Sequence, residues 1–356
     1  MSDKNEKKDS QTNDDIELDG LFEGEFVKKT IKKVKRNNMI RTIVISVFVL
    51  LIASIISNII AKEVKDRDYA KKDAILSLYK EISSPNEFIG KKMRYESSFG
   101  GTTIYSTYKI LKDKPVYTGE HKYDYGWITS DLQGTETPGI ISGHPYGTMD
   151  MNKTPYNELG QRKMQFYYPF ISYRKYKDDI KLLDEIGNDK YMEMALSFDK
   201  LYSVEEVRKM IPEHLITWYW MDDLNAEEKK ELEKVNYENR AQDSPEEVKT
   251  EDHVYGFKAI TSDGIKVDNP EFWFLQSLKK GMKSIDNTST NSFETVNAIV
   301  EMKRVYQYLL GEHKEISPNA LRIQGVVVTG NKEDLRAIKD LPFIKATSLG
   351  VITDKY

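Results

Sequence analysis

The feature that most constrains this chain is an uncharged apolar run from Thr42 to Ala61, TIVISVFVLLIASIISNIIA. A helix rises about 1.5 Å per residue, so about 20 residues cross a hydrocarbon core of about 30 Å. A buried helix of a soluble protein is seldom this long without a charge. A cleaved signal peptide fits poorly, because about 40 residues precede the run and no small-x-small cleavage site follows it. We therefore predict one transmembrane helix over 42–61.

Basic residues flank the apolar run, with an excess on its N-terminal side. Beyond Ala61, lysine and arginine are interleaved with acidic residues. Because basic segments stay on the cytoplasmic side, we predict a cytoplasmic tail over 1–41 and an extracytoplasmic bulk. The predicted localisation is the cell membrane, with a single pass and the N-terminus inside. Residues 62–83 continue a helical pattern outward as a stalk, and Asn58 is a candidate for bonding a partner helix.

Composition excludes several classes of function. The chain has 356 residues, which is enough for two or three compact units. Its formal net charge of −4 does not favour a direct nucleic-acid partner. Cysteine is absent, which excludes disulfides, thiol catalysis and thiolate metal sites. The exported part must therefore be held together by an ordinary hydrophobic core.

Residues 84–187 are predicted to form a mostly β module outside the membrane. Strand-like runs cover 92–99, 102–111 and 115–127, and the last two alternate as half-buried strands do. Gly100-Gly101 is predicted to form the turn between the first two strands. The stretch 126–156 is rich in Gly, Pro, Thr and Ser, so we predict a loop there.

Residues 188–356 contain two similar strand–helix–strand units. In the first, strands are predicted at 192–198 and 215–221, with a capping box from Ser203 to Glu206 between them. The second has strands at 322–329 and 344–351, and Asn331 caps its helix. Each unit can cover its helix only by sharing a sheet with the other. The predicted fold class is therefore α+β, with a ferredoxin-like split β-α-β sandwich that carries inserted helices. Its shared core is predicted to contain Phe198, Val207, Met210, Val327, Leu335 and Ile338.

No established catalytic motif occurs in the sequence. The five histidines form no i, i+3 or i+4 metal pair, and G-x-S-x-G, P-loop and G-x-G-x-x-G patterns are missing. Ser142-Gly143-His144 is the sharpest catalytic candidate, but adjacent Ser and His side chains do not face each other as a triad requires. Asp199 and Asp222-Asp223 are candidate Ca²⁺ ligands without the twelve-residue loop pattern. Trp218-Tyr219-Trp220 is typical of a buried strand rather than a sugar platform. We predict no catalytic residue, no metal, no cofactor and no enzymatic activity.

The tail contains an amphipathic stretch that is acidic at its start and basic towards the membrane, a charge order that suits the helix dipole. Val27, Ile31 and Val34 have helical spacing, as do Phe22 and Phe26. One interpretation is a juxtamembrane anchor on anionic lipid. The other is a docking peptide for a cytosolic protein, since acidic residues are repelled by an anionic leaflet. Composition alone does not separate the two.

Two regions resemble the bacterial sigma-factor regulator family, whose members are membrane-anchored anti-sigma factors that restrain an extracytoplasmic-function sigma factor. The first region contains LFEGEFVKKTIKKVKRNNMIRTIVISVFVLL and EISSPNEFIG. The second contains LSFDKLYSVEEVRKMIPEHLITWYWMDD, VYGFKA and GVVVTGNKEDLRAIKDLPFIKATSLGVITD. The second set of motifs is the more specific, because the first is largely a basic tail followed by a span.

The resemblance implies that the tail holds the sigma factor and that the outer modules receive envelope signals. The implied contact residues are Asp19, Phe22, Glu23, Glu25 and Phe26. The lipid bilayer is an implied partner, and a second small membrane protein is a further candidate. The family supplies no catalytic residues, and this chain lacks the His/Cys zinc motif of another anti-sigma group. Two alternatives stay open. One is an exported binding or wall-associated protein with a plain anchor. The other is an exported hydrolase, for which the sequence offers no set of catalytic residues.

Overall fold

A computed structural model of the chain describes residues 24–126, 156–285, 293–311 and 315–356. The chain divides into two compact units, Met1–Glu63 and Val64–Tyr356. This division falls near the predicted end of the span. The further predicted domain boundaries after residues 83 and 187 lie inside the second unit and stay predictions.

Helix α1 (Glu25–Ser83) contains the predicted transmembrane run. Its most apolar window of 18 residues has a mean hydropathy of 2.8, and none of that window is buried. A helix that is apolar on every side and covered by no other part of the described chain is suited to lipid. The Asn58 amide donates to the carbonyl oxygen of Ser54 in the same helix, at 2.8 Å. These features fit a single-pass membrane anchor.

In the second unit, the outer part of α1 packs on a three-stranded antiparallel sheet whose strands are neighbours in chain order. Its strands are β1 (Glu87–Glu96), β2 (Gly100–Leu111) and β3 (Lys114–Gly126). The predicted hairpin is present, but its turn precedes the predicted Gly100-Gly101. The Ser97 amide donates to the carbonyl of Gly100 at 2.7 Å, so both glycines belong to β2. A Cβ on Gly101 would lie 2.3 Å from the carbonyl oxygen of Tyr95, so close strand contact, not the turn, requires this glycine.

Over the described residues, the rest of the second unit contains seven strands, three helices of 16–18 residues and two short α-helices. In chain order the elements are β4 (Gln165–Phe166), β5 (Lys190–Tyr202), α2 (Val204–Met210), β6 (Ile216–Met221), α3 (Ala226–Ala241), β7 (Lys249–Thr250), β8 (Gly256–Lys258), α4 (Pro270–Ile285), α5 (Phe293–Leu310), β9 (Ile323–Gly330), α6 (Lys332–Arg336) and β10 (Ile344–Asp354).

Five of these strands form one sheet in the order β10-β5-β9-β6-β8. Strands β5 and β6 both run antiparallel to β9, which lies between them. Strands β9 and β10 both run antiparallel to β5, which lies between those two. Each strand–helix–strand unit is therefore split by a strand of the other, which is the ferredoxin-like arrangement. That prediction is confirmed, and α3, β7, β8, α4 and α5 form the insertion between β6 and β9.

Hydrophobic residues are buried on both faces of this sheet. Phe198, Val207, Leu335 and Ile338 are buried together on the helical face, and Met210 packs against them half-buried. Val327 belongs to the opposite face, so its predicted place in this core is wrong. Alternate residues of a strand point to opposite faces, and in β9 the helical face receives Val326 and Val328 instead.

The opposite face is covered by the aromatic segment 164–176 and by apolar residues of the α3 region. The ring of Phe166 meets the ring of Trp220 edge-on at a centroid distance of 5.1 Å. On the helical face, Tyr219 stacks on Phe257 at 5.0 Å. Trp218, Tyr219 and Trp220 are all fully buried, so the buried-strand prediction is confirmed and a sugar platform is excluded.

Candidate functional site

Only part of the predicted sigma-factor contact belongs to the described residues. Asp19, Phe22 and Glu23 lie outside them. Glu25 is the first residue of α1, and Phe26 follows it with 82 % of its surface exposed. Of the five predicted contact residues, Phe26 is thus the one whose side chain is placed. A phenylalanine this exposed at the start of a helix has its apolar surface available to a partner or to lipid.

The beginning of α1 is held by local hydrogen bonds. The amides of Val27 and Lys28 donate to the carbonyl of Gly24 at 3.0 and 3.2 Å. The hydroxyl of Thr30 donates to the carbonyl of Phe26 at 2.9 Å. Ile31 and Val34 continue an exposed apolar stripe between exposed lysines. This geometry suits either an apolar groove on a protein or the membrane interface.

The outer part of α1 is fastened to strand β1 by charged pairs. Asp66, Asp73 and Lys80 recur every seven residues, so they lie on one side of the helix. Asp66 pairs with Arg94 at 2.9 Å, Asp73 with Lys92 at 2.5 Å, and Lys80 with Glu87 at 2.7 Å. The partners on β1 follow in the reverse order, so the strand runs antiparallel to the helix. Burial opposes ionisation of Glu87, but Lys80 outweighs it and lowers the pKa of Glu87 to about 2.

Aromatic side chains complete this helix–sheet contact. The Tyr69 ring lies edge-on to Tyr125 at 5.2 Å and stacks beside Tyr123 at 6.5 Å. The Arg94 guanidinium lies over the Tyr69 ring at 4.0 Å and donates to the Tyr125 hydroxyl at 3.0 Å. Stacked cationic and aromatic groups of this kind are worth about 0.5–1 kcal/mol at exposed sites and more when desolvated. The outer third of α1 is therefore an integral part of the second unit.

A buried ionic cluster joins the three-stranded sheet to the C-terminal sheet. The Lys109 ammonium on β2 lies 2.7 Å from Glu193 on β5 and 2.9 Å from Glu251, which follows β7. Glu193 also accepts the Val351 amide at 3.1 Å, and Glu251 accepts the Met164 amide at 3.2 Å. Burial raises the pKa of Glu251 to about 7, although Lys109 opposes the rise. Two carboxylates thus compete for one buried ammonium.

The proposed calcium ligands are engaged by cations and hydroxyls of the chain itself. Asp222 accepts from Tyr308 at 2.6 Å and from Lys229 at 2.5 Å. Asp223 accepts from Arg304 at 2.6 Å, and burial raises its pKa to about 6. Asp199 accepts from Tyr202 at 2.7 Å. Over the described ranges, no three His, Asp or Glu residues are arranged to hold a metal ion. The catalytic candidate Ser142-Gly143-His144 lies outside those ranges.

The ionic cluster was missed by sequence reasoning, although it left a local signal. Lys109 interrupts the apolar end of β2, and Glu193 stands between two methionines of β5. Both residues occupy positions where an alternating or fully buried strand places apolar side chains. A charge in such a place indicates a buried partner, because an unpaired buried ion is costly. The identity of that partner could not be obtained from the sequence.

Two family models match this chain. The sigma factor regulator N-terminal model matches residues 28–116, and the sigma factor regulator C-terminal model matches residues 183–351. Together they cover well over half of the chain. The first match includes the apolar part of α1 and strands β1 and β2; the second includes the ferredoxin-like sheet and its insertion. No curated protein and no solved structure matched the chain. The N-terminal match begins two residues after Phe26, so it does not reach the five predicted contact residues.

Proposed function

This chain belongs to the sigma factor regulator family, and on that basis we propose that it is a membrane-anchored anti-sigma factor for an extracytoplasmic-function sigma factor. The cytoplasmic tail holds the sigma factor, and the second unit receives signals from the envelope. The observation that carries the proposal is the pair of family matches, one on each side of the 117–182 region. No enzymatic step is part of this function.

The tail suits a sigma factor because of its charge and its apolar residues. A sigma factor has basic surfaces for DNA and apolar grooves for protein partners. A short amphipathic helix laid in a groove is a common mode of recognition. Phe26 supplies an exposed apolar anchor at the start of α1. In the proposal, Phe22 shares the groove, and Asp19, Glu23 and Glu25 face the basic surface.

In the proposed function, helix α1 connects the signal-receiving second unit to the tail. It is continuous from Glu25 to Ser83, and its residues beyond Val64 are fastened to β1 and to the C-terminal region. A change in the contacts of the outer unit therefore acts on a helix whose other end belongs to the tail. With the lysine excess before Arg41, that end is cytoplasmic in the proposed topology.

Co-purification tests the proposed function directly. The full-length chain, tagged at its C-terminus, is isolated in mild detergent from its own cells, and bound proteins are identified by mass spectrometry. We expect a sigma factor with the full chain and none with a matched chain that lacks residues 2–24. Recovery of the sigma factor with both chains would show that residues 2–24 are not required for the contact. Recovery with neither would favour a plain anchor on an exported binding protein. The same preparation tests for a second small membrane protein.

A further inference from the structure

A cavity of about 490 Å³ lies within the second unit, where three parts of the chain meet. Helix α1 contributes Ser77, Lys80 and Glu81; strand β1 contributes Phe88 and Lys92; and Lys258 comes from the end of β8. This volume falls in the range of about 300–1,000 Å³ that is usual for small-molecule sites. Neither the tail nor the ionic cluster of Lys109 takes part in its lining.

The charged lining of the cavity is predominantly basic. Three of its residues are lysines, and Glu81 is the one acidic residue among those that line it. The carboxylates of Glu87 and Asp73 hold Lys80 and Lys92 without belonging to the lining. Burial alone would lower the pKa of Lys80, but Glu87 keeps it above its ordinary value. Lys80 therefore keeps its positive charge at physiological pH, and each of the three lysines is held by a carboxylate.

Lys258 is the most buried of the three lysines, with 5 % of its side chain exposed. Its ammonium lies over the Phe88 ring at 4.9 Å and donates a hydrogen bond to the Glu81 carboxylate at 2.8 Å. Glu81 has 47 % of its side chain exposed. Water therefore screens the charge of Glu81 more than the charge of the buried Lys258. An incoming anion can displace such an exposed carboxylate while the lysine stays in place.

We propose that this cavity binds a phosphate group, with Lys80, Lys92 and Lys258 as the cationic ligands and Phe88 as an apolar wall. A phosphate monoester carries about 1.5–2 negative charges at neutral pH, so it outcompetes a single carboxylate for an ammonium group. The Ser77 hydroxyl supplies a further donor; it now lies 3.3 Å from the Lys92 ammonium. The phosphate belongs either to a soluble ester or to a lipid head group.

Ligand binding here would act on α1. The Glu81–Lys258 pair connects α1 to β8, and a phosphate that takes over Lys258 breaks that pair. Phosphate binding would thus loosen one contact between the helix and the C-terminal sheet while forming new ones to β1. This signalling role rests on the proposed anti-sigma function, whereas the binding itself does not.

The test is calorimetric titration of the full-length detergent-solubilised chain with inorganic phosphate and with glycerol phosphate, at constant ionic strength. We expect saturable binding to the wild type and at least tenfold weaker binding to Lys258→Gln. Glu81→Gln removes the competing carboxylate and keeps the lysine, so we expect severalfold tighter binding. Lys181→Gln changes an exposed lysine outside the cavity and should bind like the wild type.

The opposite signs expected for the two cavity variants separate recognition from misfolding, because a damaged fold would weaken binding in both. No saturable binding to the wild type, or equal affinity in all three variants, would overturn the proposal. Either result leaves the anti-sigma function untouched, since the titration contains no sigma factor.

A second arm identifies the source of the phosphate. The chain is placed in nanodiscs of neutral lipid and in nanodiscs that contain phosphatidylglycerol, and the titration with inorganic phosphate is repeated. If a lipid head group occupies the cavity, the wild type should bind inorganic phosphate with lower apparent affinity in the phosphatidylglycerol discs than in the neutral discs. Lys258→Gln should show no such difference. Equal affinity in both discs would assign the site to a soluble phosphate.

Discussion

At the scale of residues, the buried cluster of Lys109, Glu193 and Glu251 is the most consequential group. It places one ammonium between two carboxylates that come from distant parts of the chain. Pairing with well-formed hydrogen bonds offsets the free-energy cost of burying the charges. Removal of one partner leaves a buried charge without compensation and destabilises the fold.

The first prediction concerns Glu251 and pH. Burial raises its pKa to about 7 in the folded chain, against 4.5 for an unperturbed carboxyl. Between these values the folded state keeps a proton that the unfolded state has lost. The contribution of Glu251 to stability is therefore present below pH 4.5 and is lost as pH rises through 7. The free energy of unfolding of the wild type should therefore fall between pH 5 and pH 8. In Glu251→Gln this fall should be smaller, by on the order of 2 kcal/mol.

Urea unfolding of the full chain in detergent, followed by tryptophan fluorescence, measures this difference, because Trp218 and Trp220 are buried in the second unit. Glu205→Gln is the control, since it changes an exposed carboxylate outside the cluster. An unchanged pH dependence in Glu251→Gln would show that this carboxyl does not titrate in the cluster.

The second prediction concerns Lys109. Replacement by methionine keeps the apolar stem but leaves Glu193 and Glu251 buried without their ammonium. Loss of one partner of a buried ion pair costs about 3–5 kcal/mol, so Lys109→Met should strongly destabilise the second unit. Lys163→Met, which breaks a more exposed pair with Asp252, should cost at most about 1 kcal/mol. The same urea experiment measures both variants, and similar losses for the two would contradict the special role of Lys109.

At the scale of elements, helix α1 contains three segments of different character. Its first residues expose Phe26, its middle is apolar on all sides, and its outer part forms charged and aromatic contacts with β1. The sequence predicts these three segments from local composition. The structure adds that they form one uninterrupted helix over Glu25–Ser83.

The prediction at this scale tests the tail as the sigma contact. Burial of one Phe side chain contributes about 1.5–3 kcal/mol, so Phe22→Ala with Phe26→Ala should weaken sigma binding by about two orders of magnitude or more. Transcription from the promoters of that sigma factor should rise. Membrane insertion should survive, because the double change leaves 42–61 intact.

The measurement is reporter output at equal membrane levels of the wild type and the double variant. Ile31→Ala with Val34→Ala, on the membrane-proximal part of the apolar stripe, provides the comparison and should release less sigma factor. Identical repression by the wild type and the phenylalanine variant would exclude these residues as the contact. The tail would then be an anchor.

At the scale of the whole molecule, topology decides whether any of these contacts is possible. In the proposed topology, the excess of lysine and arginine before Arg41 keeps the tail inside and the second unit outside. Protease added to intact wall-free cells should digest the chain beyond Lys62 and leave a tag at the N-terminus protected. Lysis of the cells before treatment provides the control. Digestion of the N-terminal tag in intact cells would overturn the proposed contact with a cytosolic sigma factor.

Much of this organisation was predictable because it depends on short-range patterns. The uncharged run 42–61 predicts a span on its own, since charge and length act locally. The capping box at Ser203 and the helix cap at Asn331 are both predicted from the sequence, and in the structure both are capping boxes with reciprocal hydrogen bonds. The two strand–helix–strand units then left few ways to bury both helices, and a shared ferredoxin-like sheet was the predicted solution. The sequence motifs also indicated the family.

The tertiary structure alone decided the features that join residues far apart in the chain. Lys109 meets Glu193 and Glu251 across separations of 84 and 142 residues, and no local pattern identifies such partners. Val327 illustrates the limit for strands, because a one-residue difference in register exchanges the two faces of a sheet that is apolar on both. The lysine-lined cavity likewise exists only where α1, β1 and β8 converge. The local sequence determines which helices and strands form. Their packing determines which charged residues become partners and where a cavity is left between the elements.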